Sequence, residues 1–262
     1  MSNEPLSGKT ALITGASSGM GADFARQLAA LGCRTILVAR RAEKLQALQQ
    51  EINGRFGAVA ETVAMDLSAP DGPRQLYDRL KADSLAVDVL INNAGYAVFG
   101  EFHTVEWERY RQMLELDVVA LTHLARLFAA GMAARRSGHI LLVASTGSFQ
   151  PTPMYAAYAA AKSYVLYLGE SLHYELRPSG VGVTVLCPGV TRTEFFEVAG
   201  REMTAFQRLM AMNSADVARI GIQAMLRGRS CVVAGRINSA IAALTPLLPR
   251  QFTARMASRM MR

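Results

Sequence analysis

This chain has few cysteines, no long uncharged apolar run and, in its last 27 residues, no acid. Cys33, Cys187 and Cys231 are scattered among apolar runs with no metal-ligand spacing. They read as reduced core thiols rather than a disulfide framework, which predicts a cytoplasmic protein. His103, His123, His139 and His173 also show no metal spacing and no partner, so no metal is expected. No run of 18 uncharged apolar residues occurs, so no membrane-spanning helix is expected. The opening Met-Ser-Asn-Glu-Pro lacks a basic stretch followed by an apolar one, so no signal peptide is expected. Repeats and low-complexity segments are absent as well. A chain of 262 residues, 51% hydrophobic and 19% charged, then reads as a single α/β domain.

The net charge of +7 is unevenly placed. Residues 236–262 hold Arg236, Arg250, Arg255, Arg259 and Arg262, contributing +5 and leaving +2 for the other 235 residues. A nucleic-acid binder is basic over its binding face, so no nucleic-acid partner is expected. Pro246 and Pro249 divide this tail. On a helical wheel Phe252, Met256, Ala257, Met260 and Met261 share one side, and Arg255, Arg259 and Arg262 cluster within about 60° of arc. Such a helix packs its apolar face on its own domain or a partner subunit, or makes a peripheral contact with an anionic membrane.

Short apolar runs alternate with segments of helical period. Thr10–Thr14, Thr35–Ala39, Ala58–Val63, Val87–Ile91, His139–Ala144, Val181–Leu186 and Cys231–Ala234 read as strands. Met20–Leu31, Glu43–Asn53, Arg74–Lys81, Val105–Arg136 and Met154–Arg177 read as helices. Continuous apolar strands between amphipathic helices imply a parallel sheet covered on both faces. Right-handed crossovers make it doubly wound, a Rossmann fold with ligands at the carboxyl ends of the strands.

Three stretches carry chemistry. The first strand runs into Thr14-Gly15-Ala16-Ser17-Ser18-Gly19-Met20-Gly21 and then a helix. Gly15 permits the turn, and Gly19 and Gly21 let backbone amides approach a pyrophosphate. After the second strand come Arg40 and Arg41 with no nearby acid, which suits a ribose 2′-phosphate and hence NADP(H) rather than NAD(H). Lastly, Tyr158 lies 13 residues after Ser145 and four before Lys162, so the ammonium stands on the same helical face as the phenol. A neighbouring cation would draw a phenol of pKa about 10 toward the working range.

Together with Asp66-Leu67, Asn92-Asn93-Ala94-Gly95 and Pro188-Gly189-Val190-Thr191-Arg192-Thr193, these motifs make residues 8–235 resemble the short-chain dehydrogenase/reductase family. The Thr-Gly-x3-Gly-x-Gly loop and Tyr-x3-Lys pair mark the subgroup. The resemblance implies that Asp66, with Leu67, contacts the adenine, that Asn92, Ala94 and Gly95 line its ribose, and that Pro188–Thr193 holds the nicotinamide carboxamide. It implies Tyr158 as general acid and base, and Lys162 as ligand of the nicotinamide ribose and modulator of the Tyr158 pKa. Ser145 would orient the substrate carbonyl.

Two positions depart from the family pattern. Asp117 stands where the family carries an Asn of the proton relay, and it would add charge beside Lys162 or serve as a helix-bend residue. Ser18 stands where many NADP(H) members have a basic residue. Aromatics and methionines in Glu194–Asn213, including Phe195 and Phe196, with Tyr96, Phe99 and Tyr155, suggest an apolar, adaptable substrate pocket.

The expected division is a catalytic domain over 1–235, with a substrate lid at about 190–214, and a basic amphipathic tail over 236–262. The expected activity is an NADP(H)-dependent interconversion of secondary alcohol and ketone on a lipophilic small molecule. A 3-oxoacyl-thioester reductase, a catalytically silent NADP(H)-binding regulatory protein and a peripheral membrane protein are the alternatives. A homodimer or homotetramer is expected.

Overall fold

The computed structural model describes residues 6–200 and 202–261; Arg262 and the side chains of Phe206, Met260 and Met261 lie outside the described residues. The apolar runs form β1 (Thr10–Thr14), β2 (Arg34–Ala39), β3 (Ala60–Ala64), β4 (Val89–Asn92), β5 (Gly138–Val143) and β6 (Val181–Cys187). A two-stranded ribbon comes next, β7 (Thr191–Arg192) with β8 (Met212–Asn213), and then β9 (Cys231–Val233). The main sheet is parallel throughout, in the order β3-β2-β1-β4-β5-β6-β9. The chain starts in the middle, winds outward to β3, then returns through β4 to the other edge, which leaves a crevice above β1 and β4.

Along each strand alternate side chains enter opposite cores. Ile13, Leu37 and Ile91 face α1 (Gly19–Ala30), α2 (Ala42–Phe56) and, later in the chain, the helix Ser214–Leu226. Leu12, Ile36 and Leu90 face α3 (Gly72–Ala82), the second half of the long helical stretch 107–134 and the helix Ala156–Leu176. That long stretch differs from the single helix expected over 105–136. It comprises α4 (Trp107–Leu114), a π-helical turn over Glu115–Ala120, and α5 (Leu121–Ala134). The wider turn carries Asp117 into the interior, where it is fully buried. By length and composition Trp107–Ala134 could cross a membrane, with a mean hydropathy of 1.4 over 18 residues. Here Leu121, Leu124, Ala125 and Phe128 are instead core residues packed on the sheet.

After α6 (Ala156–Leu176) the chain builds α7 (Phe195–Ala199) and α8 (Ala205–Met210) between the ribbon strands, then α9 (Ser214–Leu226), α10 (Arg236–Leu244) and α11 (Arg250–Met261). The sequence assigns no element to 214–226, yet α9 covers the sheet beside α1 through Val217, Ala218, Ile222 and Met225. In α11 the buried side chains are Thr253 and Ala257, while Phe252 and Met256 remain about half exposed. Of the apolar side expected from the helical wheel, Ala257 is thus packed while Phe252 and Met256 are not.

Gly169 sets how closely α6 approaches β6, because a Cβ there would lie 2.2 Å from Val185 Cγ2. Gly169→Ala should force helix and strand apart and cost about 1–3 kcal/mol, read as a lower urea midpoint with an unchanged slope. An unaltered midpoint would show that α6 shifts freely.

Candidate active site

The loop between β1 and α1 is shaped by what cannot fit. A Cβ on Gly21 would stand 2.1 Å from the Gly15 carbonyl oxygen. Gly15 and Gly19 take φ of +68° and +51°, a region that glycine enters without strain. Thr14 pins the loop to the end of β4, since its hydroxyl accepts from the amides of Asn93 and Ala94, each at 2.9 Å. Helix α1 opens with no side-chain cap on Ser18, so its first amides remain available to an anion. Above this loop lies a cavity of about 280 Å3 lined by Gly15, Ser17–Gly21, Arg40, Arg41, Asp66, Leu67 and Ala94. Its shape and donors suit a dinucleotide.

Asp66 accepts from the Ser68 amide and hydroxyl at 2.9 and 2.7 Å. Burial raises its carboxyl pKa, but Ser68 and Arg40 outweigh this and leave it below the usual range. Arg40 and Arg41 part company. Arg40 stands by Asp66 and Tyr96. Arg41 donates to the hydroxyls of Ser17 at 3.0 Å and Ser18 at 2.8 Å, and pairs with Glu194 at 2.7 Å. Lys44 meets the other Glu194 oxygen at 2.6 Å. Two cations and two hydroxyls thus form an anion-binding corner, with a carboxylate in it.

A second cavity of about 280 Å3 adjoins the first, sharing Met20, Asn93, Gly95, Thr193 and Phe195 with it. Ser145, Tyr158 and Lys162 meet there. The Tyr158 phenol is hydrogen-bonded to Ser145, whose Oγ also accepts from the Gly147 amide at 3.0 Å. Lys162 Nζ lies 2.9 Å from Asp117 Oδ2 and donates to the Val143 carbonyl at 3.2 Å. The other Asp117 oxygen accepts from the Tyr96 amide at 3.0 Å. Gly95 leaves room for this carboxylate, for a Cβ there would come within 2.9 Å of it.

Electrostatically the cluster departs from the expectation that Lys162 lowers the Tyr158 pKa. Burial first, and the Asp117 charge second, push the phenol well above its ordinary value, with Ser145 pulling it down. The reason is the pairing: the Lys162 ammonium is held against Asp117 and sits 5.8 Å from the Tyr158 ring centre. Asp117 itself is raised, because burial of its carboxyl outweighs the attraction of Lys162.

Pro188, Gly189, Val190, Thr191 and Thr193 line the second cavity, together with Tyr155, Phe195 and Phe196. The Phe195 ring lies tilted against that of Tyr158, centres 5.5 Å apart. Three expected residues lie elsewhere. Asn92 is buried and donates to the Leu121 carbonyl at 2.9 Å, because its parity on β4 turns it toward α5; its neighbour Asn93 lines both cavities instead. Tyr96 lines the dinucleotide cavity rather than the substrate side. Phe99 packs behind Tyr155, ring centres 5.0 Å apart. The sequence reading missed Glu194, Lys44 and one wall of the second cavity. That wall is α10, through Asn238, Ile241 and Ala242, with Thr245 just beyond it. It belongs to the supposed tail, so the division at residue 235 cuts through the site rather than bounding it. Its signal was the spacing 238, 241, 242, 245, one face of a helix. Among the described residues no His, Cys, Asp and Glu group could hold a metal.

Known proteins resemble this chain in sequence and fold. The family model for short chain dehydrogenases matches residues 9–204. An uncharacterised oxidoreductase of Myxococcus xanthus is 33% identical over 189 residues, 72% of this chain and 74% of the relative. A very-long-chain 3-oxoacyl-CoA reductase of Phaeosphaeria nodorum is 35% identical over 180 residues, 67% of this chain. The match spans only 53% of that relative's length. A short-chain dehydrogenase of Sphingobium yanoikuyae, solved with NADPH, superposes with a TM-score of 0.81 at 31% identity, covering 91% of this chain and 94% of that one. A Burkholderia phymatum homologue, solved with NAD, gives 0.80 at 27% identity over 91% of this chain and 93% of that one.

The buried carboxylate yields a pH prediction. Asp117 raises the Tyr158 pKa, so Asp117→Asn should lower it, while the single amide oxygen can still accept from one of the two donors, Lys162 or the Tyr96 amide. The limb of kcat/KM that requires the phenolate should then move by about one pH unit or more toward acid. A coincident profile, or a shift toward alkali, would show that Tyr158 does not feel this charge.

Proposed function

The chain belongs to the short chain dehydrogenase family, and from that premise we propose that it is an NADP(H)-dependent oxidoreductase interconverting a secondary alcohol and a ketone on a lipophilic substrate. The observation that carries this reading is the meeting of Ser145, Tyr158 and Lys162 in a largely apolar cavity that adjoins the dinucleotide crevice. A bound nicotinamide dinucleotide supplies or accepts the hydride. The protein's part is to hold and move a proton. Ser145 would donate to the carbonyl oxygen and fix its position, while the Tyr158 hydroxyl gives up its proton as that oxygen gains charge. A phenol with a raised pKa is well suited to stay protonated until then. Lys162, fixed by Asp117 and Val143, would present its ammonium to the cofactor ribose and to the relay that reprotonates Tyr158. Phe195, Phe196 and Tyr155 exclude water around the phenol.

The corner of Ser17, Ser18, Arg41 and Lys44 supports a preference for the 2′-phosphate, with Arg41 rather than Arg40 as its main ligand. Glu194 holds the same cations, so a phosphate monoester must compete with it. A homo-oligomer accords with the exposed apolar side chains Val119, Tyr164 and Tyr167. They lie on adjoining elements, joined by a 3.1 Å hydrogen bond between Thr122 and Tyr164.

One second reading has a specific observation behind it. The similarity to proteins named very-long-chain 3-oxoacyl-CoA reductase favours a 3-oxoacyl thioester as the ketone. A catalytically silent dinucleotide binder is disfavoured by the assembled Ser145, Tyr158 and Lys162.

NADPH oxidation against a panel of lipophilic ketones, water-soluble ketones, aldehydes and 3-oxoacyl thioesters separates these readings. Tyr158→Phe should lower turnover about 10²–10⁴-fold while fluorescence titration shows NADPH bound as before. Retention of a tenth of the activity would remove Tyr158 as the proton donor. Arg41→Ala should weaken NADPH binding about tenfold or more and leave NADH binding nearly unchanged. Equal losses for both cofactors would place the phosphate elsewhere.

A further inference from the structure

We propose that the outer face of α10, the turn after it and α11 form a docking surface for an anionic phospholipid bilayer. The pocket would then lie next to the membrane. Ile237, Ile241 and Leu244 recur every three or four residues on α10 and are 59%, 56% and 59% exposed. Leu247 in the turn that follows, at 79%, and Phe252 on α11, at 51%, are exposed as well. Single exposed apolar side chains are ordinary, but a run of them on adjoining elements marks a surface that meets something.

Charge identifies the partner. Residues 236–262 contain no Asp or Glu, and the exposed Arg236, Arg250, Arg255 and Arg259 have no carboxylate partner among the described residues. A second copy meeting this face through a two-fold axis would set arginine against arginine around the apolar centre. An anionic lipid surface supplies opposite charge to the arginines and an apolar layer to the leucines and isoleucines.

The inner side of the same helix gives the surface a purpose. Asn238 and Ala242 line the second cavity, and Ile241 both lines it and stands more than half exposed. One helix is thus cavity wall on one side and apolar exterior on the other. The docking is read from the surface alone. That it lets a lipophilic substrate pass from bilayer to pocket rests on the proposed function.

The test is co-sedimentation of the full chain with vesicles of phosphatidylcholine, alone or with one part phosphatidylserine to three. The wild type should pellet several-fold more with the anionic vesicles, and high salt should reduce the difference. Leu247→Asp with Phe252→Asp should fall to the level seen with neutral vesicles while keeping the wild-type thermal midpoint. Arg250→Gln with Arg255→Gln should lose most of the preference for anionic lipid. Equal pelleting with both vesicles, or none, overturns the proposal. So does a Leu247→Asp, Phe252→Asp protein that shows a smaller assembly by light scattering and unchanged vesicle binding, since the face then joins copies of this chain. A protein that binds vesicles but reduces no ketone keeps the docking surface and removes the proposed function.

Discussion

Everything at the centre of this molecule hangs on one buried ion pair, Lys162 with Asp117 at 2.9 Å. Removing two charges from water is costly, and each has a further partner besides the other. Lys162 also donates to Val143 at the end of β5, and Asp117 also accepts from Tyr96 after β4. The pair therefore ties α6 to the carboxyl ends of β4 and β5. Two local departures make it possible: the π-helical turn that carries Asp117 inward and the missing side chain at Gly95. Its electrostatic result is a phenol held protonated by burial and by a nearby negative charge, with the lysine's positive charge largely answered by its partner.

The dinucleotide crevice rests on a different constraint, close approach of backbone to backbone. Gly21 over Gly15 and Gly19 against Thr193 Cγ2 leave no room for a Cβ. Thr193 lines both cavities, so the strap after β6 and the loop after β1 meet at the boundary between cofactor and substrate. The carbonyl of Pro188 accepts from the Thr146 amide at 2.8 Å and joins that strap to the Ser145 loop. Steric exclusion, more than any single hydrogen bond, keeps these three segments in register.

The same physics decides how much of the molecule is legible in its sequence. Parallel strands buried on both faces are apolar throughout, so the strands of the main sheet and its doubly wound character were legible in Leu12, Ile36, Leu90, Ile140 and their neighbours. Glycines that permit close approach and a Tyr-Lys pair four apart in a helix are local patterns, and they were legible too. Parity at the end of a strand was not. Asn92 shares the face of Leu90 and so belongs to the α5 side, and only coordinates distinguish it from Asn93. Contacts assembled from distant segments were equally hidden. Glu194 reaches Arg41 across 153 residues of chain, and Asn238 sits 2.3 Å from where a Gly189 Cβ would be. In the tail the arginines dominate the pattern, so the short side chains Ala242 and Thr245 that pack on the domain are not legible as its contact points.

The position of α10 has a consequence for how such a protein can diversify. The three groups proposed to handle the proton, Ser145, Tyr158 and Lys162, lie just after β5 and on α6. Part of the cavity wall, Phe149, Gln150, Thr152 and Tyr155, lies between them, but the rest comes later in the chain, from Phe195, Phe196 and Gln207 and from Asn238, Ile241, Ala242 and Thr245. Much of the fit is thus written after the residues proposed for the chemistry. Exchange of the later parts as cassettes can retune which molecules are admitted while leaving the reactive centre untouched.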